Sequence, residues 1–150
     1  MTDDGAPAAL AARPIPLSDP DTRPYWDGAN QHRLVCQQCS ACKHVIFPPK
    51  PACPRCLESG LDWISVSGFG TVYSFCITRM NFVQGYAAPY IVAWVTLDEH
   101  EDVRLNSNIL ECSLDEIHIG MPVEVVFEHR RPGVTVPQFR PRRRNIKDPK

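Results

Sequence analysis

The sequence predicts a mainly β protein with an N-terminal helix, a small zinc-binding ribbon and a five-stranded barrel of the OB type. Three observations support this prediction. Two Cys-x2-Cys pairs lie close together in the first half of the chain. From Trp63 onward, β-branched and aromatic residues form several short runs that glycines and prolines separate. The 150-residue chain contains 15 prolines and 8 glycines, which favours short elements and many loops.

The composition excludes several classes of protein. Lys and Arg total 16 and Asp and Glu total 17, and this net charge of −1 argues against a generally basic nucleic-acid binder. A hydrophobic content of 43% is too high for a disordered chain. No segment approaches the ~20 apolar residues of a membrane helix, and the acidic start lacks the apolar core of a secretory signal. We therefore expect a cytoplasmic protein that does not associate with membranes.

The N-terminal segment predicts an arm followed by a helix. Residues 1–18 are rich in Ala and Pro without an apolar period, and we expect a mobile arm there. Residues 19–35 predict the helix. Asp19 before a proline is typical of an N-cap, whereas a start three or four residues later would place Pro24 in the first turn. Both starts are consistent with the sequence.

Residues 36–60 predict the zinc ribbon. Two Cys-x2-Cys turns, ten residues apart, can direct four thiolates at one metal ion. The predicted ligands of one structural Zn²⁺ are Cys39, Cys42, Cys53 and Cys56. A site with four protein ligands is closed, so it lacks the open position that catalytic zinc needs. Redox-active dithiols are the alternative interpretation.

Cys36 allows a second ligand register. It forms a Cys-x2-Cys pair with Cys39, so these two residues could replace the first pair. That register would lengthen the segment between the pairs and leave Cys42 free beside the metal. We therefore prefer Cys39 and Cys42. Cys76 and Cys112 are expected to be small buried hydrophobic residues.

Residues 61–130 predict the barrel. Glycines at 68 and 70 interrupt the β pattern and suggest a bend that coils the chain around a small barrel. A short helical turn is expected before the last strand. The predicted strands are 63–67, 71–78, 90–97, 103–110 and 123–128. Another small barrel or a sandwich would fit the same pattern. Residues 131–150 are rich in Arg and Pro, and we expect a basic tail.

The order of motifs resembles one family of acyl-CoA-associated proteins, in which a rubredoxin-like zinc ribbon precedes an OB fold. This family has long been known as a bacterial and archaeal domain of unknown function. The matching segments are Tyr25-Trp26-Asp27-Gly28, the two Cys pairs, Phe47-Pro48-Pro49-Lys50, Ser67-Gly68-Phe69-Gly70-Thr71-Val72-Tyr73-Ser74, Ile119-Gly120-Met121-Pro122 and Val136-Pro137-Gln138-Phe139-Arg140-Pro141. Lys43 departs from the pattern, because a glycine commonly follows the second cysteine.

The resemblance implies a non-catalytic accessory subunit. Members of the family act with a thiolase-like or lipid-transfer-protein-like partner that holds the catalytic residues and most of the acyl-CoA site. The complex would be an aldolase (lyase) or an acyltransferase, and retro-aldol cleavage of a steroid side-chain CoA ester is the preferred branch. The small subunit would support its partner and contribute to the CoA passage.

Two segments are candidates for contact with the partner or the ligand. The loop from Met80 to Pro89 is apolar for a loop, and its predicted contact residues are Phe82 and Tyr86. In the basic tail the predicted contact residues are Arg140, Arg142 and Arg143, which could meet an acidic surface or CoA phosphates. The alternatives are a loop that folds back on the barrel and a solvated tail.

Two other functions remain open from the sequence. Zinc ribbons and OB folds also bind nucleic acids, although the net charge of −1 makes nucleic acid an unlikely partner here. A stand-alone enzyme or redox protein would have to use Cys36, Cys76 or Cys112. The chain contains no H-E-x-x-H motif and no phosphate-binding loop to support that function.

Overall fold

The computed structural model describes residues 14–82 and 85–143. In these residues one helix precedes eight strands. The elements are α1 (Arg23–Asn30), β1 (Val35–Cys39), β2 (Val45–Ile46), β3 (Leu61–Ser65), β4 (Phe69–Thr78), β5 (Tyr90–Leu97), β6 (His100–Ile109), β7 (Pro122–Arg131) and β8 (Val134–Pro141). Within this part of the chain, no helix has the length and apolar character that crossing a membrane requires.

The helix takes the later of its two predicted starts. Thr22 is the N-cap, and Pro24 lies in the first turn, where its missing N–H costs nothing. Asp19 instead closes the turn before the helix, since its Oδ1 accepts hydrogen bonds from the Thr22 N–H at 2.8 Å and the Thr22 hydroxyl at 2.9 Å. Of the predicted arm, residues 1–13 lie outside the described residues.

A three-stranded sheet with the order β2-β1-β3 forms the ribbon. Strand β3 pairs with β1 along its whole length, from Leu61 opposite Cys39 to Ser65 opposite Val35. The run that begins at Trp63 was expected to be the first strand of the barrel, and this assignment was wrong. The sequence shows that this run is β, but strand pairing over a distance decides which sheet it joins.

The barrel is closed, with the strand order β4-β5-β6-β8-β7, in which β6 and β8 are parallel. This confirms five strands in an OB arrangement but corrects their membership. The fifth strand, β8, lies within residues 131–150, which were predicted to be a tail. The Arg and Pro content of β8 hides its apolar residues, although Phe139 is fully buried.

The barrel has a weak seam between β6 and β8. The only residues paired there are Ile109 and Phe139, and the Leu110 N–H donates to the Phe139 carbonyl at 2.7 Å. No other residue pair joins the two strands. The side chain of Gln138 bridges the gap, because its Oε1 accepts hydrogen bonds from the Ser107 hydroxyl at 2.7 Å and the Asn108 N–H at 3.0 Å.

Candidate functional site

Two matching turns position the four cysteines. The Lys43 N–H donates to the Cys39 carbonyl at 3.0 Å, and the Leu57 N–H donates to the Cys53 carbonyl at 2.9 Å. Lys43 and Leu57 both adopt the left-handed conformation, with φ of 59° and 63°. The departure at Lys43 therefore leaves the turn intact, because the lysine adopts the left-handed conformation for which glycine is suited.

The four sulfur atoms form a compact group. The Sγ atoms of Cys39, Cys42, Cys53 and Cys56 all lie within 4.8 Å of one another. Individual separations are 3.5 Å between Cys39 and Cys56 and 3.6 Å between Cys42 and Cys53. Zinc bound tetrahedrally at about 2.3 Å from each sulfur requires sulfurs about 3.8 Å apart. The residues therefore fit one Zn²⁺ ion, as predicted.

The backbone around the turns stabilises thiolates. A hydrogen bond from the Cys42 backbone lowers the pKa of Cys39. Burial opposes ionisation of Cys53, but backbone hydrogen bonds from Cys56 and Arg55 lower the pKa of Cys53 to about 7. A backbone hydrogen bond from Glu58 favours the Cys56 thiolate, yet the neighbouring sulfurs raise the pKa of Cys56 to about 12. A divalent cation removes this repulsion and allows all four ligands to ionise.

Cys36 does not belong to this group. It packs with the apolar core of the barrel, whereas Cys39 and Cys53 pack with Ile46. Burial, together with the charge of Glu99, raises the pKa of Cys36 to about 12. The four grouped sulfurs are those of the preferred register, and Cys36 is a buried thiol outside the group. Cys76, by contrast, is exposed, so the expectation that it would be buried was wrong.

A second concave region lies beside the seam. We call it the seam cleft; α1, the ribbon and strands β5, β6 and β8 surround its volume of about 620 Å³. Aromatic and proline side chains form most of its walls. The principal wall residues are Tyr25, Trp26, Phe47, Pro48, Tyr86 and Tyr90.

The seam cleft has a polar floor at Gln138, and a buried ion pair lies behind that floor. Gln138, only 3% exposed, lines the cleft and donates from Nε2 to Glu128 Oε2 at 3.1 Å. The same carboxylate oxygen accepts from Arg130 Nη2 at 2.8 Å. The Arg130 side chain is 3% exposed, and its Nε and Nη1 atoms are buried without a hydrogen-bond partner. The Arg130 guanidinium lies 6.0 Å from the centre of the Tyr86 ring.

Comparisons with known proteins match both halves of this architecture. Residues 26–62 match the model of the ChsH2 rubredoxin-like zinc ribbon domain, and residues 63–128 match the ChsH2 C-terminal OB-fold domain. A protein of Methanothermobacter thermautotrophicus named "DUF35 domain-containing scaffold protein" is 35% identical over 103 residues, which are 67% of this chain and 76% of that protein. The chain belongs to the DUF35 family.

Two further relatives extend the comparison. A Thermomonospora curvata protein named "Probable enoyl-CoA hydratase alpha subunit" is 38% identical over 87% of this chain, but the chain spans only 40% of that protein's length. A chain of the solved structure "Ltp2-ChsH2(DUF35) aldolase" is 37% identical, with a TM-score of 0.77, and the match covers 84% of this chain and 98% of that one. Both relatives are named as subunits or parts of larger assemblies.

The DUF35 chain holds its predicted contact residues in different ways. Phe82 is 72% exposed, whereas Tyr86 forms part of the wall of the seam cleft. Arg140 Nε lies 2.9 Å from a Glu124 carboxylate oxygen. Phe82, Tyr86 and Arg140 thus do not share one set of contacts. Their contact with a partner or with CoA stays a prediction.

The last two predicted arginines flank the end of β8. Arg142 Nη1 lies 3.4 Å from Asp98 Oδ2, and the guanidinium lies 4.9 Å from the centre of the Phe69 ring. Arg143 is exposed. Arg140 and Arg142 thus have partners within the barrel, which a solvated tail would not provide.

Sequence reasoning missed the polar floor of the seam cleft. Gln138 and Arg130 belong to segments that the sequence predicts as a tail and as the boundary of the last strand. A glutamine between a proline and a phenylalanine in an apolar run was the available signal for a strand with one polar face. No local pattern indicates that Glu128 and Arg130 pair beneath a cleft.

Proposed function

We propose that this chain is a non-catalytic accessory subunit that binds and supports a thiolase-like or lipid-transfer-protein-like enzyme acting on acyl-CoA thioesters. One observation carries the proposal: the chain matches 98% of one chain of the Ltp2-ChsH2(DUF35) aldolase at 37% identity. A match of this extent supports an equivalent position in a two-component enzyme. The cytoplasmic location stays a prediction.

The zinc site supports a structural role for the ribbon. Four cysteine ligands complete a tetrahedral zinc, so no position remains for a substrate or a water nucleophile. The ion would fix the geometry of the two turns, and reaction chemistry would belong to the partner. We propose retro-aldol cleavage as that chemistry: a β-hydroxyacyl-CoA, such as a steroid side-chain thioester, splits into a ketone and a shorter acyl-CoA.

A second candidate function is that of an accessory subunit of a hydratase. The Thermomonospora curvata relative carries a hydratase name and is 38% identical to this chain. Since the match covers 40% of that relative, its catalytic residues need not lie in the shared part. In this case the chain would act beside a hydratase domain, and the complex would add water to an enoyl-CoA.

Co-purification tests the proposal. The chain would be expressed with a thiolase-like protein encoded next to it. Light scattering after gel filtration would then give the molar mass of the complex. We expect a stable complex that cleaves β-hydroxyacyl-CoA only when both chains are present. A complex that only hydrates enoyl-CoA would support the second candidate. Absence of a complex would overturn the accessory role.

A matched pair of surface variants sharpens the test. Phe82→Ser removes a predicted contact residue that is 72% exposed, and Leu57→Ser removes a comparable apolar residue of the ribbon that is 80% exposed. We expect Phe82→Ser to weaken the complex at least about tenfold, the effect of one interface residue of moderate importance. Leu57→Ser should bind as the wild type does. Equal effects would remove Phe82 from the interface.

A further inference from the structure

Strand β3 forms one edge of the ribbon sheet. In the described part of the chain it pairs with β1 alone, over five consecutive residues without a bulge. The strand also contains no proline and no lysine. Bulges, prolines and lysines are features by which natural proteins keep an exposed sheet edge from pairing with another chain. Strand β3 therefore has the form of an edge that can accept a further strand.

The ladder between β1 and β3 shows which backbone groups face the open side. The Val66 N–H donates to the Leu34 carbonyl at 2.9 Å, and hydrogen-bonded positions alternate along an antiparallel pair. Residues 62 and 64 therefore bond to β1. Within residues 14–82 and 85–143, the outward backbone groups of the other three residues have no hydrogen-bond partner. These three residues are Leu61, Trp63 and Ser65.

Glutamates close this open edge at both ends. The Ser67 N–H donates to Glu99 Oε1. The N–H groups of Ser59 and Gly60 donate to Glu58 Oε1 at 2.8 Å and 3.1 Å. Carboxylates thus satisfy the donors on either side, whereas the three residues between them keep donors and acceptors for another chain. The open edge is therefore a short, bounded stretch.

A charged groove lies on one face of this edge. We call it the edge groove; it has a volume of about 410 Å³ and lies between α1 and β3. Successive side chains of a strand point to opposite faces, and Trp63 and Ser65 are the two residues of β3 that line the groove. A strand added to β3 would thus direct every second side chain to the same side. The charged residues that line the groove are Arg23, Asp27 and Arg33.

The edge groove carries more positive than negative charge. Among the described residues, no carboxylate oxygen lies within 4.0 Å of a nitrogen of Arg23 or Arg33. The Arg33 guanidinium instead donates from Nη2 to the neutral Gln31 Oε1 at 2.7 Å. Guanidinium groups form their strongest hydrogen bonds with carboxylates. The groove is therefore suited to an acidic side chain.

The charges of the groove disfavour a second copy of this chain as the occupant. In a two-fold pairing of β3 with itself, the second strand would direct Leu61, Trp63 and Ser65 to the groove face, and none of these residues is acidic. The arginines of both copies would also lie on one face of the joint sheet. The counter-charge must therefore come from a different chain.

We infer that β3 binds an extended segment of another protein as a fourth strand of the ribbon sheet, with one acidic side chain of that segment in the edge groove. In such strand addition, main-chain hydrogen bonds supply affinity and pockets for alternate side chains supply specificity. The inference does not depend on the proposed function, because the edge and the groove belong to this chain alone.

Peptides test the edge on the zinc-loaded chain without any enzyme. The probe is acetyl-Thr-Val-Glu-Val-Thr-amide, and two further peptides carry glutamine or lysine in place of the central glutamate. We expect saturable binding in an NMR titration, with slower hydrogen exchange of the amides of Leu61, Trp63 and Ser65. The glutamate peptide should bind about threefold more tightly than the glutamine peptide, the value of an exposed ion pair. The lysine peptide should bind most weakly.

Two N-methylated peptides distinguish strand addition from other modes of binding. Only alternate N–H groups of an added strand face its neighbour. N-methylation of the central glutamate, or of the valine after it, should therefore remove a hydrogen bond in one of the two peptides and not in the other. We expect a loss of affinity of at least about fivefold in one peptide only, the value of one backbone hydrogen bond.

Variants connect the binding to the edge and to the groove. Ser65→Pro removes an outward N–H at a position where an edge strand tolerates proline, and it should weaken binding at least about fivefold. Ser65→Ala keeps that N–H and should bind as the wild type does. Arg23→Gln combined with Arg33→Gln should abolish the preference for glutamate over glutamine. Arg131→Gln, which changes an exposed arginine outside the groove, should retain it.

Four results would overturn the inference. The first three are absence of saturation with the glutamate peptide, equal affinity for the glutamate, glutamine and lysine peptides, and equal affinity for the two N-methylated peptides. The fourth is slow exchange of the three edge amides before any peptide is added, because this chain or a second copy would then already cover the edge. All four are measured on the wild-type chain, so they decide the question even if Ser65→Pro does not fold.

Discussion

The ribbon and the barrel of this chain are stabilised in different ways. The buried cluster of the ribbon joins Cys39 and Cys53, two of the predicted zinc ligands, with Ile46, and Cys42 and Leu61 lie beside them. The barrel buries a much larger apolar cluster that includes Val72, Leu97 and Phe139. A unit with so small a core needs a metal, whereas apolar burial is sufficient for the barrel. One short chain therefore combines stabilisation by a metal with stabilisation by apolar burial.

The two regions are nevertheless joined. Leu34, Cys36 and Val45, which flank or belong to the ribbon strands, pack in the barrel cluster. The Val66 N–H donates to the Leu34 carbonyl at 2.9 Å where the chain passes from ribbon to barrel. The face of β1 that meets the barrel is therefore stabilised by apolar contacts, which the two Cys-x2-Cys turns do not have.

Removal of zinc should have the largest effect and should separate the two regions. Structural zinc contributes on the order of 10 kcal/mol to folding of such a unit. With a strong chelator, or in the variant Cys53→Ser, we expect residues 39–60 to lose protection from amide hydrogen exchange. The barrel strands should keep theirs, because their apolar core is unaffected. Exchange measured by NMR or mass spectrometry gives the result residue by residue.

The variant Cys36→Ser is the control for this experiment. It also changes a cysteine of the first Cys-x2-Cys pattern, but Cys36 lies in the barrel cluster and outside the group of four sulfurs. It should retain one zinc per chain while destabilising the whole protein by burying a hydroxyl. If chelation also unfolds the barrel, the two regions form a single cooperative unit and the contrast drawn above is wrong.

The sequence was most informative where structure depends on local chemistry. Cys-x2-Cys spacing predicts the four cysteines whose sulfurs the structure brings together, because each pair is a single turn. The later helix start was among the two that the sequence allowed. Strand β5 was predicted with the bounds that it has, Tyr90–Leu97. Long-range pairing was not predictable: β3 joins the ribbon and β8 closes the barrel. The seam cleft depends on that pairing, so the sequence did not predict it either.

The bend before β4 tests how tightly the barrel is packed. Gly68 has a φ of +76°, and a Cβ added there would clash with Val125 Cγ1. Gly68→Ala should therefore combine left-handed strain of about 1–2 kcal/mol with a steric clash of similar size, about 3 kcal/mol in total. Urea unfolding of the zinc-loaded protein measures this loss of stability.

Gly133 provides a matched control for the bend. Its φ is +77°, but a Cβ there would meet nothing within 4 Å. Gly133→Ala should cost only the backbone strain, about 1 kcal/mol. The difference between the two variants then measures the clash with Val125 alone. Equal losses would mean that the barrel relaxes around the added methyl group and is less tightly packed than the contact suggests.

The smallest expected effect is a gain of stability in the ribbon. Lys43 has a φ of 59° in the first metal turn, where glycine avoids the left-handed penalty. Relief of about 1–2 kcal/mol is partly offset by the entropy that glycine loses on folding, so Lys43→Gly should stabilise the ribbon by about 0.5 kcal/mol. Competition with a chelator of known affinity would detect this as slightly tighter zinc binding.

Lys43→Ala distinguishes backbone strain from loss of the lysine side chain. Alanine removes the charge and the aliphatic chain but keeps the Cβ, so it should give no gain. Leu57→Gly, at the corresponding position of the second turn with a φ of 63°, should repeat the effect of Lys43→Gly. If alanine stabilises as much as glycine, the lysine charge and not the backbone limits the ribbon, and the equivalence of the two turns fails.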